Sequence, residues 1–231
     1  MKITVIGASG LIGTKVVQLV TAEGHQAVPA SRESGVDVLT GEGLGEALAG
    51  ADALVDVVNS PSFEDDPVLH FFTTSTTNLV AAAKAAGVGH YVALSIVGLD
   101  GLPESGYLRA KVAQEKLIVE SGLPYTIVRT TQFAEFADAI VASMTEGSTI
   151  RVPDALIQPI AADDVAAAVA RAAVGQPRNG ILAIGGPEKI SFEELARTVL
   201  ARHGDDKAVV VDPQATYFGT RLARNSLVTA D

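Results

Sequence analysis

Within thirteen residues the chain sets up a strand, a glycine-rich turn and a helix. Ile3-Thr4-Val5-Ile6 is a short apolar run, and Gly7-Ala8-Ser9-Gly10-Leu11-Ile12-Gly13 follows it directly. From Leu11 to Glu23 the pattern is helical, with Leu11, Ile12, Val16, Leu19 and Val20 on one face. In that order the three pieces build a phosphate site. The turn exposes backbone N–H groups, and the helix start adds the positive end of its dipole. Glycine is needed where a side chain would block a pyrophosphate or the helix–strand contact. The spacing is G-x-x-G-x-x-G rather than the commoner G-x-G-x-x-G. The turn therefore points to a bound dinucleotide and leaves open what is done with it.

The rest of the chain repeats the alternation. Apolar runs at Ala27–Ala30, Ala53–Val58, Tyr91–Leu94 and Tyr125–Val128 read as strands, and Asp66–Ala86 and Gly106–Glu120 read as helices between them. Alternating strands and helices predict an α/β fold, a Rossmann-type doubly wound parallel sheet covered by helices on both faces. Gly87 ends the long helix just before the next strand. Val36–Leu39 also reads as a strand, but only Ser31–Gly35 separate it from the one before, too few for a parallel crossover. Either the usual crossover helix has been deleted, which is the preferred explanation, or Val36–Leu39 is an irregular edge segment. Further on, the patterns are Gln132–Thr145 (helix), Ser148–Val152 (strand), Asp163–Val174 (helix), Ile181–Ile184 (strand), Ser191–His203 (helix) and Ala208–Val211 (strand). Ser191 with Glu194 three residues later forms a capping-box pattern. We expect one domain over residues 1–231, with about 131–160 and 185–231 forming a small C-terminal substrate lobe. The stretch Thr216–Asp231 reads as an irregular tail, either covering the pocket or unstructured.

Composition removes several classes of function. A net charge of −10 with no compensating basic block argues against a nucleic-acid partner. The absence of cysteine removes disulfides, thiol catalysis and thiolate metal sites. His25, His70, His90 and His203 are scattered without metal-ligand spacing, so no metal is expected. Glycines interrupt the apolar N-terminus, and no apolar stretch reaches membrane-spanning length, so no membrane partner and a cytoplasmic location are expected. Helices flanking such sheets often form dimer faces, which leaves a homodimer open.

Two clusters carry the candidate chemistry. Ser31 and Arg32 stand where the second strand ends. An NAD site usually places an acid there for the ribose 2′-hydroxyl, whereas a guanidinium matches a 2′-phosphate with its bidentate fork. NADP(H) is therefore the expected cofactor, unless the register shifts and Glu33 supplies the acid. Ser95 ends a strand, and Tyr107 and Lys111, four apart on a helix, share a face. Together they suit carbonyl reduction. Tyr107 acts as general acid, Lys111 lowers its pKa and binds ribose, and Ser95 orients the substrate oxygen. Phe63, Phe133, Phe136, Met144 and Tyr217 either line an apolar substrate pocket or belong to the core. Asp52, Asp65 and Asp66 read as turn and helix-start residues.

The chain resembles the short-chain dehydrogenase/reductase superfamily, in its atypical, NmrA-like branch. The matching stretches are Gly7–Gly13, Asn78–Val88, Tyr91–Ser95, Tyr107–Lys111 and Ser121–Arg129, with Gln158-Pro159-Ile160 and Asp163–Ala166 further on. The resemblance implies a nicotinamide cofactor and a small-molecule substrate. It places Gly7, Ser9, Gly10, Leu11 and Ile12 at the pyrophosphate and Ser31 and Arg32 at the adenosine ribose. It puts Leu39 and Thr40 near the adenine, Asn59 and Ser60 at the nicotinamide ribose, and Thr130 to Phe133 beside the nicotinamide. Members that keep the tyrosine and lysine are usually oxidoreductases, here expected to reduce a carbonyl or quinone. Members that lose them include redox sensors that bind the cofactor without turnover, which is the alternative.

Overall fold

The structure, a computed structural model, describes residues 1–230. Its elements in order are β1 (Lys2–Ile6), α1 (Leu11–Ala22), β2 (Gln26–Ala30), α2 (Leu44–Leu48), β3 (Ala53–Asp56), α3 (Asp65–Ala86), β4 (His90–Ile96), α4 (Gly106–Glu120) and β5 (Tyr125–Thr130). There follow α5 (Ala137–Ser143), β6 (Thr145–Glu146), β7 (Thr149–Val152), β8 (Leu156–Ile157), α6 (Ala162–Val174), β9 (Gly180–Ile184), β10 (Ile190–Ser191), α7 (Phe192–His203) and β11 (Ala208–Val211).

Six strands form a parallel sheet in the order β2-β1-β3-β4-β5-β9. Its central strands are buried on both faces, so they are nearly continuous apolar runs. One face packs Ile3, Val5, Val55 and Val92 against Val16 and Val20 of α1 and Val165 and Val169 of α6. The other packs Ile6, Leu54 and Tyr91 against Leu44 of α2, Phe72 and Leu79 of α3, and Ala110 and Ile118 of α4. The chain leaves β1 for β2 on one side and returns to β3 on the other. That reversal opens a crevice at the carboxyl ends of β1 and β3, the usual ligand position in such sheets. The expected Rossmann-type α/β fold is what the structure has. No helix among the described residues is long and apolar enough to cross a membrane.

Three expectations need correction. Val36–Leu39 is a turn, not a strand, and the sheet ends at β2. Val36 and Val38 are buried, which explains their strand-like alternation. Between them the Asp37 carboxylate accepts from the Leu39 N–H (2.7 Å), and the Asp37 carbonyl from the Gly41 N–H (2.9 Å). This side-chain turn replaces sheet pairing. The apolar run from Ala53 yields a strand only as far as Asp56. The helix expected over Gln132–Thr145 is a 3-10 turn, Ala134–Phe136, followed by the short α5.

A third apolar cluster gathers the C-terminal elements. It joins Ile140 and Val141 of α5, Ile150 and Val152 of β7, Phe192 and Val199 of α7, and Leu227 from the tail, against Leu99 and Leu108 of the main body. β7 lies between β6 and β11, and β8 pairs with β10. The Ser191 hydroxyl accepts from the Glu194 N–H (3.0 Å) and caps α7. The described part of the tail is ordered. Leu156 N–H donates to the Arg224 carbonyl (2.7 Å), and the Thr229 N–H to Gln158 Oε1 (2.9 Å). The Ser226 carbonyl lies where a Cβ on Gly98 would stand, so only glycine there lets the tail cross.

Candidate active site

The glycine turn has the geometry a pyrophosphate needs. Gly7 has φ +89°, and a Cβ there would meet the Val57 carbonyl oxygen at 2.9 Å. A Cβ on Gly13 would stand 2.1 Å from the Gly7 oxygen, so both glycines are forced by backbone approach. The first bond of α1 runs from the Thr14 N–H to the Gly10 carbonyl, leaving the N–H groups of Leu11, Ile12 and Gly13 as helix-start donors. Gly10 offers no side-chain cap, and the first turn of α1 has no acid. Ser9, Gly10 and Leu11 are exposed, so the turn is open to a ligand. Ile12 is buried in the core, so only its backbone is available to a ligand. These features fit a dinucleotide pyrophosphate.

At the carboxyl end of β2, Ser31 and Arg32 open a 3-10 turn. Arg32 is exposed and makes no ion pair among the described residues, which leaves its guanidinium available. Leu39 packs against the core, and its carbonyl accepts from Asn78 Nδ2 (3.0 Å). Thr40 is exposed beside it, and its hydroxyl accepts from the Glu42 N–H.

Tyr107 and Lys111 sit on α4, and its start is pinned against α3. A Cβ on Gly106 would collide with the Asp65 side chain, and Arg109 bonds Asp65 (2.6 Å). This approach seats the Tyr107 ring on Phe72 (5.8 Å between centroids) and beside Phe63 (5.4 Å). The Tyr107 hydroxyl donates to Asn59 Oδ1 (2.8 Å), just beyond β3. Asn59 stands two residues after Val57, whose carbonyl touches Gly7, so the phenol reaches the edge of the dinucleotide crevice. Asn59 Oδ1 also accepts from the Ser60 N–H (3.0 Å). Ser60 is buried, its hydroxyl accepting from the Ser62 N–H.

The expected lysine–tyrosine coupling is not what the structure has. The Lys111 ammonium donates to the Leu94 carbonyl (2.8 Å) and to Gln114 Oε1, and lies over the Phe72 ring (4.6 Å). Burial pushes the Tyr107 phenol up to about 12, with no lowering from Lys111. Burial pulls Lys111 down to about 8, against the opposing pull of Asp56 and Glu115. The reason is a charged partner the sequence reading missed. Asp56, the last residue of β3, is buried and accepts from the Tyr91 hydroxyl (2.9 Å) and from Gln114 Nε2 (3.0 Å). Burial raises the Asp56 carboxyl and the Tyr91 phenol alike, and the Asp56 charge raises Tyr91 further. A signal was present: Asp56 is a lone charge inside an apolar strand run, and Gln114 lies three residues past Lys111 on the same helix.

Ser95 also departs from expectation. Its hydroxyl donates to Glu115, whose carboxylate is bonded by Arg129 (2.6 Å). Arg129 in turn bonds Asp100 (2.5 Å), and the two acids hold its guanidinium charged. A buried carboxylate needs such donors, so Ser95 is committed to this cluster rather than turned to the crevice. At the end of β5, the Thr130 hydroxyl donates to the Thr131 carbonyl (3.1 Å). Phe133 bridges to Ile160 and stacks on Phe136 (5.5 Å). Between them, the Gln132 side-chain oxygen is buried without a hydrogen-bond partner among the described residues.

The model for NAD(P)H-binding proteins matches residues 7–175. The chain belongs to the NAD(P)H-binding family. It is 29% identical over 208 residues to (4-alkanoyl-5-oxo-2,5-dihydrofuran-3-yl)methyl phosphate reductase of Streptomyces griseus, a match covering 83% of this chain and 70% of that protein. It is 29% identical over 147 residues to photosystem II assembly factor Ycf39 of Cyanophora paradoxa, covering 58% of this chain and 46% of that factor. The match therefore spans under half the length of the assembly factor. Among solved structures, MoeE5 in complex with UDP-glucose and NAD has a TM-score of 0.74 at 19% identity, covering 98% of this chain and 91% of that one. The Escherichia coli NADPH-dependent quinone oxidoreductase QOR2, complexed with NADPH, has a TM-score of 0.67 at 23% identity, covering 91% and 77%. Family membership and the glycine turn together make NAD(P)H the bound cofactor.

Proposed function

We propose that this protein is an NADPH-dependent reductase of a small carbonyl or quinone compound, of the short-chain dehydrogenase/reductase type and its NmrA-like branch. The observation that carries the reading is the Tyr107 hydroxyl, hydrogen-bonded to Asn59 beside the Val57–Gly7 contact and so next to the dinucleotide crevice. The reductase among its relatives supports the same class of chemistry. When bound, the nicotinamide would supply hydride to the electrophilic carbon, and the C=O electron pair left on oxygen is what this chain's own groups must then protonate. Tyr107 gives its phenolic proton to that oxygen and regains one from solvent. Its raised pKa keeps the proton in place until negative charge develops on the substrate. In the free protein the Tyr107 hydroxyl donates to Asn59 Oδ1, and that single O–H turns to the substrate oxygen when substrate binds, leaving Asn59 held by the Ser60 N–H. Lys111 uses two of its three donors and keeps one for the nicotinamide ribose. Arg32 would hold the adenosine 2′-phosphate, flanked by Ser31, while Thr130 and Phe133 would border the nicotinamide.

The test is oxidation of NADPH and NADH against a panel of quinones, aldehydes and ketones. The reading expects turnover with at least one class and a preference for NADPH. Tight NADPH binding with no turnover across the panel would move the protein to the sensor class.

A further inference from the structure

We propose that Phe63 is a specificity-determining residue that selects substrates carrying a flat ring next to the reducible group. The inference rests on Tyr107 being the proton donor, because it concerns what is held against that residue. Phe63 lies in the segment between β3 and α3, residues 57–64, which reaches Tyr107 at two points. Asn59 Oδ1 accepts from the Tyr107 hydroxyl (2.8 Å), and the Phe63 ring meets the Tyr107 ring with centroids 5.4 Å apart. Between these points the segment is braced by its own side chains. The Ser60 N–H donates to Asn59 Oδ1 (3.0 Å), the Ser62 N–H to Ser60 Oγ (3.2 Å) and the Glu64 N–H to Ser62 Oγ (3.2 Å). Pro61 restricts the backbone among them. One short stretch of chain therefore places both the acceptor on the phenol and the ring beside it.

The exposure of Phe63 is what calls for a ligand. Glu64 caps the start of α3, and an apolar residue just before a cap commonly packs on the first turn of its helix, which would set Phe63 on Val68. A ring used only in that way is covered. Val68 is buried, but Phe63 remains 70% exposed. Tyr107 has one other aromatic neighbour, Phe72, edge-on at 5.8 Å and fully buried in the core. Of the two rings on Tyr107, then, only Phe63 has free surface. It is inclined 41° to the phenol rather than stacked on it, and most of the ring lies outside their contact. A substrate whose oxygen sits at the Tyr107 hydroxyl brings the group beside its carbonyl against that surface. A flat ring there gains an aromatic pairing in addition to the apolar area it buries, whereas a saturated group gains the area alone.

The experiment uses the full chain saturated with NADP+ and calorimetric titration of 2-naphthalenemethanol, the alcohol that a ring aldehyde would give. Its control is decahydro-2-naphthalenemethanol, which has the same carbon skeleton and hydroxyl but no flat ring. The wild type should bind the naphthalene alcohol more tightly. Phe63→Leu keeps an apolar group before the cap, and at so exposed a position its unfolding midpoint should stay close to that of the wild type. Its affinity for the naphthalene alcohol should fall about three- to tenfold, with that for the saturated alcohol nearly unchanged. Phe63→Tyr, which retains a ring, should keep the wild-type preference. A Phe63→Leu protein with the wild-type preference would overturn the proposal, as would a Phe63→Tyr protein without it. Equal loss of both alcohols in Phe63→Leu would mark a purely structural role and overturn it too. So would a wild type that binds the two alike or binds neither. NADPH oxidation is measured separately. Its absence alongside intact ring selection would sink the reductase reading and leave the role of Phe63 standing; turnover without ring selection would do the reverse.

Discussion

The glycine turn and the Tyr107–Lys111 site meet at one edge of the sheet but are built in opposite ways. The turn is fixed by backbone: Gly7 and Gly13 are where they are because carbonyl oxygens stand at 2.9 and 2.1 Å from any Cβ. The α4 site is fixed by side chains drawn from several elements, with Asp56 on β3, Tyr91 on β4, Phe72 on α3 and Gln114 on α4 all bearing on Lys111 or its partners. A backbone-built site tolerates almost no substitution at a few positions. A side-chain-built site spreads its dependence over residues that never touch a ligand.

The sharpest way to break this contrast is to remove the hub of the second site. Asp56→Ala leaves Tyr91, Gln114 and a buried ammonium short of a partner, and should lower the unfolding free energy by about 3 kcal/mol. Chemical denaturation measures it; a change near zero would mean the network is not structural. The matching test of the first site is Gly13→Ala, whose methyl group collides with backbone. It should cost about 2 to 3 kcal/mol and abolish NADPH binding, read by denaturation and by NADPH fluorescence titration. Full NADPH affinity in that variant would contradict the assignment of the turn.

How much of each site can be read in advance follows from the same contrast. Gly7–Gly13 needed only local order, strand then turn then helix, and the six-stranded sheet followed from repetition of that pattern. Tyr107 and Lys111 were legible as a pair at helical spacing, but not the direction of the ammonium. That depends on Asp56, which lies 58 residues before Gln114 in the chain. The same holds for Ser95, whose hydroxyl is captured by Glu115 twenty residues on. Val36 and Val38 misled because burial alternates there as in a strand, while one local residue, Asp37, bends the backbone.

Smaller effects sharpen the comparison further. Arg32→Ala should weaken NADPH about ten- to a hundredfold, the range for hydrogen bonds to a charged group, and leave NADH nearly unaffected. Equal loss for both cofactors, by parallel titration, would remove Arg32 from 2′-phosphate recognition. The smallest signal is a titration. Lys111 releases its proton near pH 8 when folded, against an ordinary value of 10.5. Between those values the unfolded chain holds the extra proton, so the stability contributed by this group rises with pH across the window. Carbon-detected NMR of labelled lysine should show one side chain titrating near pH 8, absent in Lys111→Met. A spectrum in which every lysine titrates near 10.5 would contradict the burial of the ammonium.

The central claim is that Tyr107 delivers the proton as hydride reaches the substrate. Tyr107→Phe keeps the ring on Phe72 and Phe63 and removes only the hydroxyl. With the best acceptor from the panel, its kcat should fall about 10²- to 10⁴-fold while NADPH affinity stays at the wild-type value. A Tyr107→Phe protein that turns over at the wild-type rate would contradict the account.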